Sequence, residues 1–220
     1  MGYVEKQYTL PRWEDLSISR QTVYDNTFEK PPSMGWMFMP LVNYEGGGPP
    51  AWFEPLQQNL EEYTFGMAQY LTAGVAACYR GFRLYDSQQT RNNVKLWVTF
   101  YKQYREVLNS DIIHFKRPNM QGLDGFMHTN PSGKIKGTIP FITDNLQICS
   151  LGLIVIFNPT SERISKAIKI SLYYTGLAKT ANISMQSNDL KWSTYTLSRN
   201  YEVKLEVSID KQSLVYFIVK

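Results

Sequence analysis

The apolar periodicity of this 220-residue chain changes near residue 110, and that change constrains the fold more than any other feature. Before it, helical patterns alternate with two short apolar runs, 35–42 and 75–80. A short run without alternation marks a strand buried on both faces. Trp13, Leu16 and Val23 recur at helical spacing over 10–24, and Pro31-Pro32 ends that segment. Leu56, Leu60, Tyr63, Met67, Tyr70 and Leu71 form a stripe over 54–72, closed by Gly74 as a C-cap. Val94, Trp97, Val98, Tyr101, Tyr104 and Leu108 form a third over 87–108, with Asp86 or Ser87 to cap it. Helix, strand, helix, strand, helix implies parallel strands joined by right-handed crossovers.

After residue 110 the period becomes two. The runs 168–172, 201–209 and 214–219 read as strands, separated by turn clusters at 158–161, 187–189 and 210–212. Short alternating strands at this spacing predict an antiparallel β-sandwich. The expected fold is α/β followed by all-β, with residues 1–110 as one unit and 111–220 as the other. Two parallel strands with three helices neither close a barrel nor cover both faces of a sheet. The first unit is therefore expected to be completed by chain preceding Met1 or by another chain.

Charge and composition exclude several classes. The net charge is +4, with −1 in residues 1–110 and +5 in residues 111–220. The excess cations are spread singly along alternating segments, as on solvated strand faces, so no nucleic-acid groove is expected. Mean hydropathy is −0.32, and no apolar run reaches the roughly 18 residues of a membrane span. The first residues lack a signal-peptide pattern. Cys78 and Cys149 lie in no CxxC, and with only His114 and His128 beside them no metal site and no cofactor is expected. Gly46-Gly47-Gly48 is followed by Pro49-Pro50, not by Lys-Ser or Lys-Thr, so it is no phosphate loop. The 15 Tyr, 11 Phe and 5 Trp fit a dense core, and they also fit surfaces that stack on sugar rings.

Several segments together carry a family resemblance. They are 35–42 with Tyr44 and Gly46-Gly47-Gly48, then 77–86, Ser110-Asp111-Ile112-Ile113-His114, Phe157-Asn158-Pro159-Thr160 and 172–177. Over nearly the whole chain they resemble a group of large glycoside-hydrolase-like proteins. The resemblance implies a (β/α)8 barrel followed by a C-terminal β-sandwich. Residues 1–110 would be the last part of the barrel, and the catalytic carboxylates would lie on strands preceding Met1. It also implies an extracellular parent protein and a carbohydrate partner. One stretch departs from the family pattern: 135–150 stands where the family has a short turn, either as a genuine loop or as foreign sequence.

A barrel of this kind binds ligands at the C-terminal ends of its strands. Those positions are Asn43, Tyr44 and Glu45 after the first strand, and Tyr79 and Arg80, with Arg83, after the second. Their polar groups suit sugar hydroxyls and their rings suit C–H faces. Against this, Glu45 could be a loop carboxylate and Arg80 a structural ion pair. Glycoside hydrolysis needs two flanking carboxyls. Glu45 could be one of them, while Asp86 reads better as a helix cap. His114 and His128 read as hydrogen-bonded structural residues, and Tyr173-Tyr174 as packing against the barrel. The expected function is a fragment of a carbohydrate-active protein without its catalytic pair. The alternative is a non-catalytic carbohydrate-binding or structural module.

Overall fold

The helix–strand alternation of the first half is realised as a parallel pair of strands with a helix between them. The structure, a computed structural model, describes residues 36–40, 55–74, 76–80, 83–116, 118–119, 121–131, 136–138, 147–185 and 191–220. The chain divides into two compact units, Met1–Lys102 and Gln103–Lys220. The expected helix over 10–24 and the turns at 46–48 and 187–189 lie outside the described residues.

In the first unit, β1 (Trp36–Pro40) pairs in parallel with β2 (Ala76–Arg80), from Trp36 opposite Ala76 to Pro40 opposite Arg80. Helix α1 (Leu60–Thr72) touches both strands. Among the described residues no third strand joins the pair and no barrel closes.

The start of α1 is six residues later than the pattern suggests. Pro55 opens a turn instead, and its carbonyl accepts from the backbone N–H of Gln58 (3.0 Å) and Asn59 (3.2 Å). The single-stripe reading of α1 was also too narrow. Phe65 to Ala73 are buried without interruption, as befits a helix enclosed all round. The hydroxyl of buried Thr72 is satisfied by the Ala68 carbonyl at 2.6 Å. Gly74 takes φ +72°, and its N–H reaches the Leu71 carbonyl at 3.3 Å, which is the left-handed C-terminal stop expected of it.

Helix α2 (Gln88–Leu108) starts at a reciprocal cap. The Thr90 N–H donates to Ser87 Oγ (3.2 Å), and the Ser87 N–H donates to Thr90 Oγ1 (3.1 Å). Trp97 and Phe100 are buried on α2 in an edge-to-face contact, ring centroids 5.6 Å apart. Val94, Val98 and Tyr101 are only half-buried.

The second unit is built from antiparallel strands. They are β3 (Asp111–His114), β4 (Asp124–Thr129), β7 (Gly152–Asn158), β8 (Ile164–Ser171), β9 (Thr180–Met185), β10 (Trp192–Thr196), β11 (Glu202–Ile209) and β12 (Ser213–Val219). One sheet runs β10-β9-β12-β7-β4-β3, and β8 with β11 forms a two-stranded sheet. Met127, Ile154, Ile156, Phe217 and Val219 of the large sheet share one core with Ile170, Val203, Leu205, Val207 and Ile209 of the small one. Burying each such side chain contributes about 1.5–3 kcal/mol, so this two-layer core supplies the driving force for the unit.

The strict alternation of β11 is explained by its position. Val203, Leu205, Val207 and Ile209 face inward, while Lys204, Glu206 and Ser208 face water. By contrast β7 is buried at all seven positions. Its second face carries Leu153, Val155 and Phe157, next to Phe126 and His128 of β4.

Residues 135–150 include the paired strands β5 (Lys136–Thr138) and β6 (Gln147–Cys149), which form a separate two-stranded sheet. The neck below them is closed. Thr129 of β4 opposes Gly152 of β7. Beyond that pair, Asn130 donates its N–H to the Leu151 carbonyl (2.8 Å) and its Nδ2 to the Ser150 carbonyl (3.0 Å).

Candidate functional site

The parallel register decides which chain segments can share a site. Because Pro40 lies opposite Arg80, β1 and β2 end at the same level. Adjacent strands stand about 4.8 Å apart. Tyr79 and Arg80 are thus the last two positions of β2, opposite Met39 and Pro40. The other expected contacts, Asn43, Tyr44 and Glu45, lie outside the described residues, three to five positions beyond the end of β1. Arg83 is exposed.

Asp86 has a different position from the cap expected of it. The N-cap is Ser87, as its bond from the Thr90 N–H shows. Asp86 stands one residue earlier, and its carboxylate ties two elements together. Oδ1 accepts from the Thr90 hydroxyl (3.1 Å), and Oδ2 accepts from the Gln57 N–H (3.1 Å). The second bond joins the turn before α1 to the start of α2. Nearby, the Tyr63 hydroxyl donates to the Leu84 carbonyl at 2.7 Å. These bonds make the segment after β2 a fixed bridge, and they commit Asp86 to structure rather than to proton transfer.

The histidines belong to an aromatic group in the second unit. His114 and His128 each meet Phe126 edge-on, with centroids 5.4 and 5.5 Å away, and Phe126 in turn meets Phe157 at 5.6 Å. His128 and Phe126 are fully buried. Among the described residues no group of three or more His, Cys, Asp or Glu could hold a metal ion. No described helix is long and apolar enough to cross a membrane. A cleft of about 280 Å³ in this unit is lined by Asp124 together with Lys116, Lys166 and Lys169. It holds one carboxylate, not the two that glycoside hydrolysis uses.

Two tyrosines of the second unit belong to a small cluster of rings. Tyr173 is 59% exposed and Tyr174 is 55% exposed. Their rings meet each other edge-on at 5.2 Å, and Tyr173 meets exposed Tyr201 at 5.3 Å. Tyr201 was not singled out from the sequence, because 27 residues separate it from Tyr174 and no local pattern links them.

A pair of tyrosines meets where α2 ends. Tyr104, from the last turns of α2, packs edge-on against Tyr216 at 5.7 Å. Burial raises both hydroxyls above the usual phenol range, and the neighbouring Tyr216 raises Tyr104 further.

No family model and no curated protein sequence matches the chain. Solved structures do. A GH27 β-L-arabinopyranosidase from Geobacillus stearothermophilus, seen as a variant in complex with arabinose, aligns over 95% of this chain and 42% of its own, with 11% identity and a TM-score of 0.56. The wild-type form of that enzyme gives 13% identity and a TM-score of 0.55 over the same shares. A Bacillus halodurans protein named for a proposed α-N-acetylgalactosaminidase activity gives 11% identity and 0.54, over 95% of this chain and 43% of its own. The chain thus spans about two-fifths of the length of these structures. Identity this low carries the fold and nothing finer: the chain folds like about two-fifths of each of these structures.

Proposed function

We propose that this chain is the C-terminal portion of a carbohydrate-active, glycoside-hydrolase-like protein. In this reading residues 1–110 supply the last strands and helices of a (β/α)8 barrel, and residues 111–220 supply the appended β-sandwich. The catalytic carboxylates belong to strands outside this sequence, so the chain alone holds sugar without cleaving it. The observation that carries the reading is the parallel register of β1 and β2, which brings Tyr79 and Arg80 level with the residues leading to Asn43, Tyr44 and Glu45. The fold likeness to enzymes more than twice as long supports it.

The roles follow from side-chain chemistry. The Arg80 guanidinium donates in a fixed fork to two sugar oxygens. The Glu45 carboxylate accepts from hydroxyls, and the Asn43 amide does both. Tyr44 and Tyr79 offer rings to C–H faces and hydroxyls to the rim.

The test is Arg80→Ala in the longer parent protein. Losing a charge-assisted hydrogen bond costs about 1.5–3 kcal/mol, which weakens sugar binding roughly ten- to a hundredfold while the fold stays intact. Unchanged binding removes Arg80 from the site. Hydrolysis of a glycoside by the purified 220-residue chain, abolished by Glu45→Gln, would overturn the non-catalytic assignment.

A further inference from the structure

We propose that Tyr173, Tyr174 and Tyr201 form a second saccharide contact, a ledge on the β unit that takes one pyranose ring of an oligosaccharide or polysaccharide. The proposal rests on the carbohydrate reading above and adds a site to it. Three large rings stand exposed in one cluster, at 59%, 55% and 36% of their surface. Isolated exposed aromatics are ordinary, but three joined through Tyr173 make a patch.

The geometry of the patch suits a sugar. Tyr174 lies at 87° and Tyr201 at 70° to Tyr173. A ring placed on one face therefore meets a near-perpendicular neighbour beside it. A pyranose has C–H groups on its faces and hydroxyls around its rim. Tyrosine mirrors that division, with an apolar face and a hydroxyl that both donates and accepts. No charged group is needed, so a neutral saccharide is the matching class.

The rings are also held in place before any ligand arrives. Tyr173 and Tyr174 lie in the 3₁₀ turn Tyr173–Thr175, which ends at Gly176 with φ +79°. Thr175 is buried beneath it, its hydroxyl donating to the Leu172 carbonyl at 2.6 Å. Tyr201 takes φ +61°, a left-handed conformation that a bulky side chain rarely adopts. It is kept there by two bonds. The Leu172 N–H donates to the Tyr201 carbonyl (2.8 Å), and the Tyr201 N–H donates to the Ser198 carbonyl (2.9 Å). The Leu172–Tyr201 bond ties the two turns together, so the three rings form one pre-ordered surface. Little backbone freedom then remains to be lost on binding.

The test is affinity electrophoresis of the 220-residue chain through gels containing soluble galactomannan, glucomannan or xylan. Retardation by at least one of them is expected. Tyr173→Ala and Tyr201→Ala should each weaken it about two- to tenfold, the range set by single aromatic contacts. Tyr173→Phe should retain most of it, and circular dichroism should be unchanged in all three variants. Retardation that survives both alanine variants but is lost in Arg80→Ala overturns the ledge and leaves the strand-end site standing. Loss in the tyrosine variants alone does the reverse. No retardation by any of the three polysaccharides overturns the ledge outright. So does a dimer that Tyr173→Ser dissolves, because the patch would then be a contact between copies.

Discussion

Asn158 is a polar side chain whose removal should cost the β unit heavily. It ends β7 and is fully buried. Its Nδ2 reaches three carbonyls, of Glu162 (2.7 Å), Ile209 (3.0 Å) and Asp210 (2.9 Å). Its Oδ1 accepts from the Thr160 N–H (3.1 Å) and the Thr160 hydroxyl (2.7 Å). One amide thus pins the turn after β7 to the turn between β11 and β12. Asn158→Ala removes all of these bonds. Water can replace it at Glu162 and Asp210, which are exposed, but the Ile209 carbonyl lies inside. An unmet buried acceptor costs about 1–3 kcal/mol, and each net hydrogen bond about 1 kcal/mol. The expected loss is about 2–4 kcal/mol, a large part of the stability of a domain this size. At about 3–5 °C per kcal/mol, the melting temperature should fall by roughly 6–20 °C.

Asn158→Asp sharpens the same test. It keeps the Thr160 bonds but turns a carboxylate oxygen toward three carbonyls, so it should cost at least as much as alanine. Thermal melts followed by circular dichroism at 218 nm, with urea unfolding as a second probe, measure both variants. An aspartate variant that melts within about 2 °C of the wild type would refute the donor role, since sterics are unchanged and only the amide protons are lost.

Two further outcomes follow from the fold. Deleting 132–149 and joining Pro131 to Ser150 keeps the neck bonds of Asn130, shortens the β4–β7 loop, and lowers its closure cost by about 1–2 kcal/mol. The melting temperature should hold or rise, and a fall of more than about 10 °C would show that β5 and β6 are integral to the core. Tyr104 and Tyr216 should make the protein sensitive to alkali. Below the ordinary tyrosine value of about 10 both states hold their protons, and stability is unaffected. Above it the unfolded chain releases protons that the folded state retains, so stability should fall by about 1.4 kcal/mol per pH unit from Tyr104 alone. Melts between pH 9 and 11.5 should show this decline, and Tyr104→Phe should flatten it. A wild-type profile that stays level to pH 11.5 would contradict the burial assigned to the pair.

What the sequence made legible depended on how many faces each segment buries. β11 alternates because one face meets the core and the other meets water, so its period is visible. β4 is buried at all six positions, Asp124 to Thr129, and such a segment has no alternation to read. β9 mixes buried Ala181, Ile183 and Ser184 with exposed Thr180, Asn182 and Met185, too irregular a pattern to identify a strand. Asn158 read as part of a turn cluster, because residue type shows that a turn exists but not which distant carbonyls its amide will meet. The end of β2 was legible because the charge of Arg80 ends an apolar run. The cap of α2 was legible only as Asp86 or Ser87, since aspartate and serine cap equally well and only the Thr90 bonds distinguish them.

The tyrosine ledge was illegible for a different reason: it follows from register. β8 and β11 pair so that Ser171 lies opposite Glu202 and Ile164 opposite Ile209. That register places Leu172 beside Tyr201, and the Leu172–Tyr201 bond continues the ladder by one step. Shifting β11 by one residue would turn Val203, Leu205, Val207 and Ile209 outward and bury Lys204, Glu206 and Ser208. Burying Lys204 and Glu206 would take from water two charges that now meet at 3.3 Å on an exposed face. The hydrophobic pattern of β11 therefore excludes a slip by one residue. The Leu172–Tyr201 bond belongs to the register that remains, in which Ser171 lies opposite Glu202 and Tyr201 meets Tyr173. The alternation that specifies the core thus also excludes the slip that would part these rings.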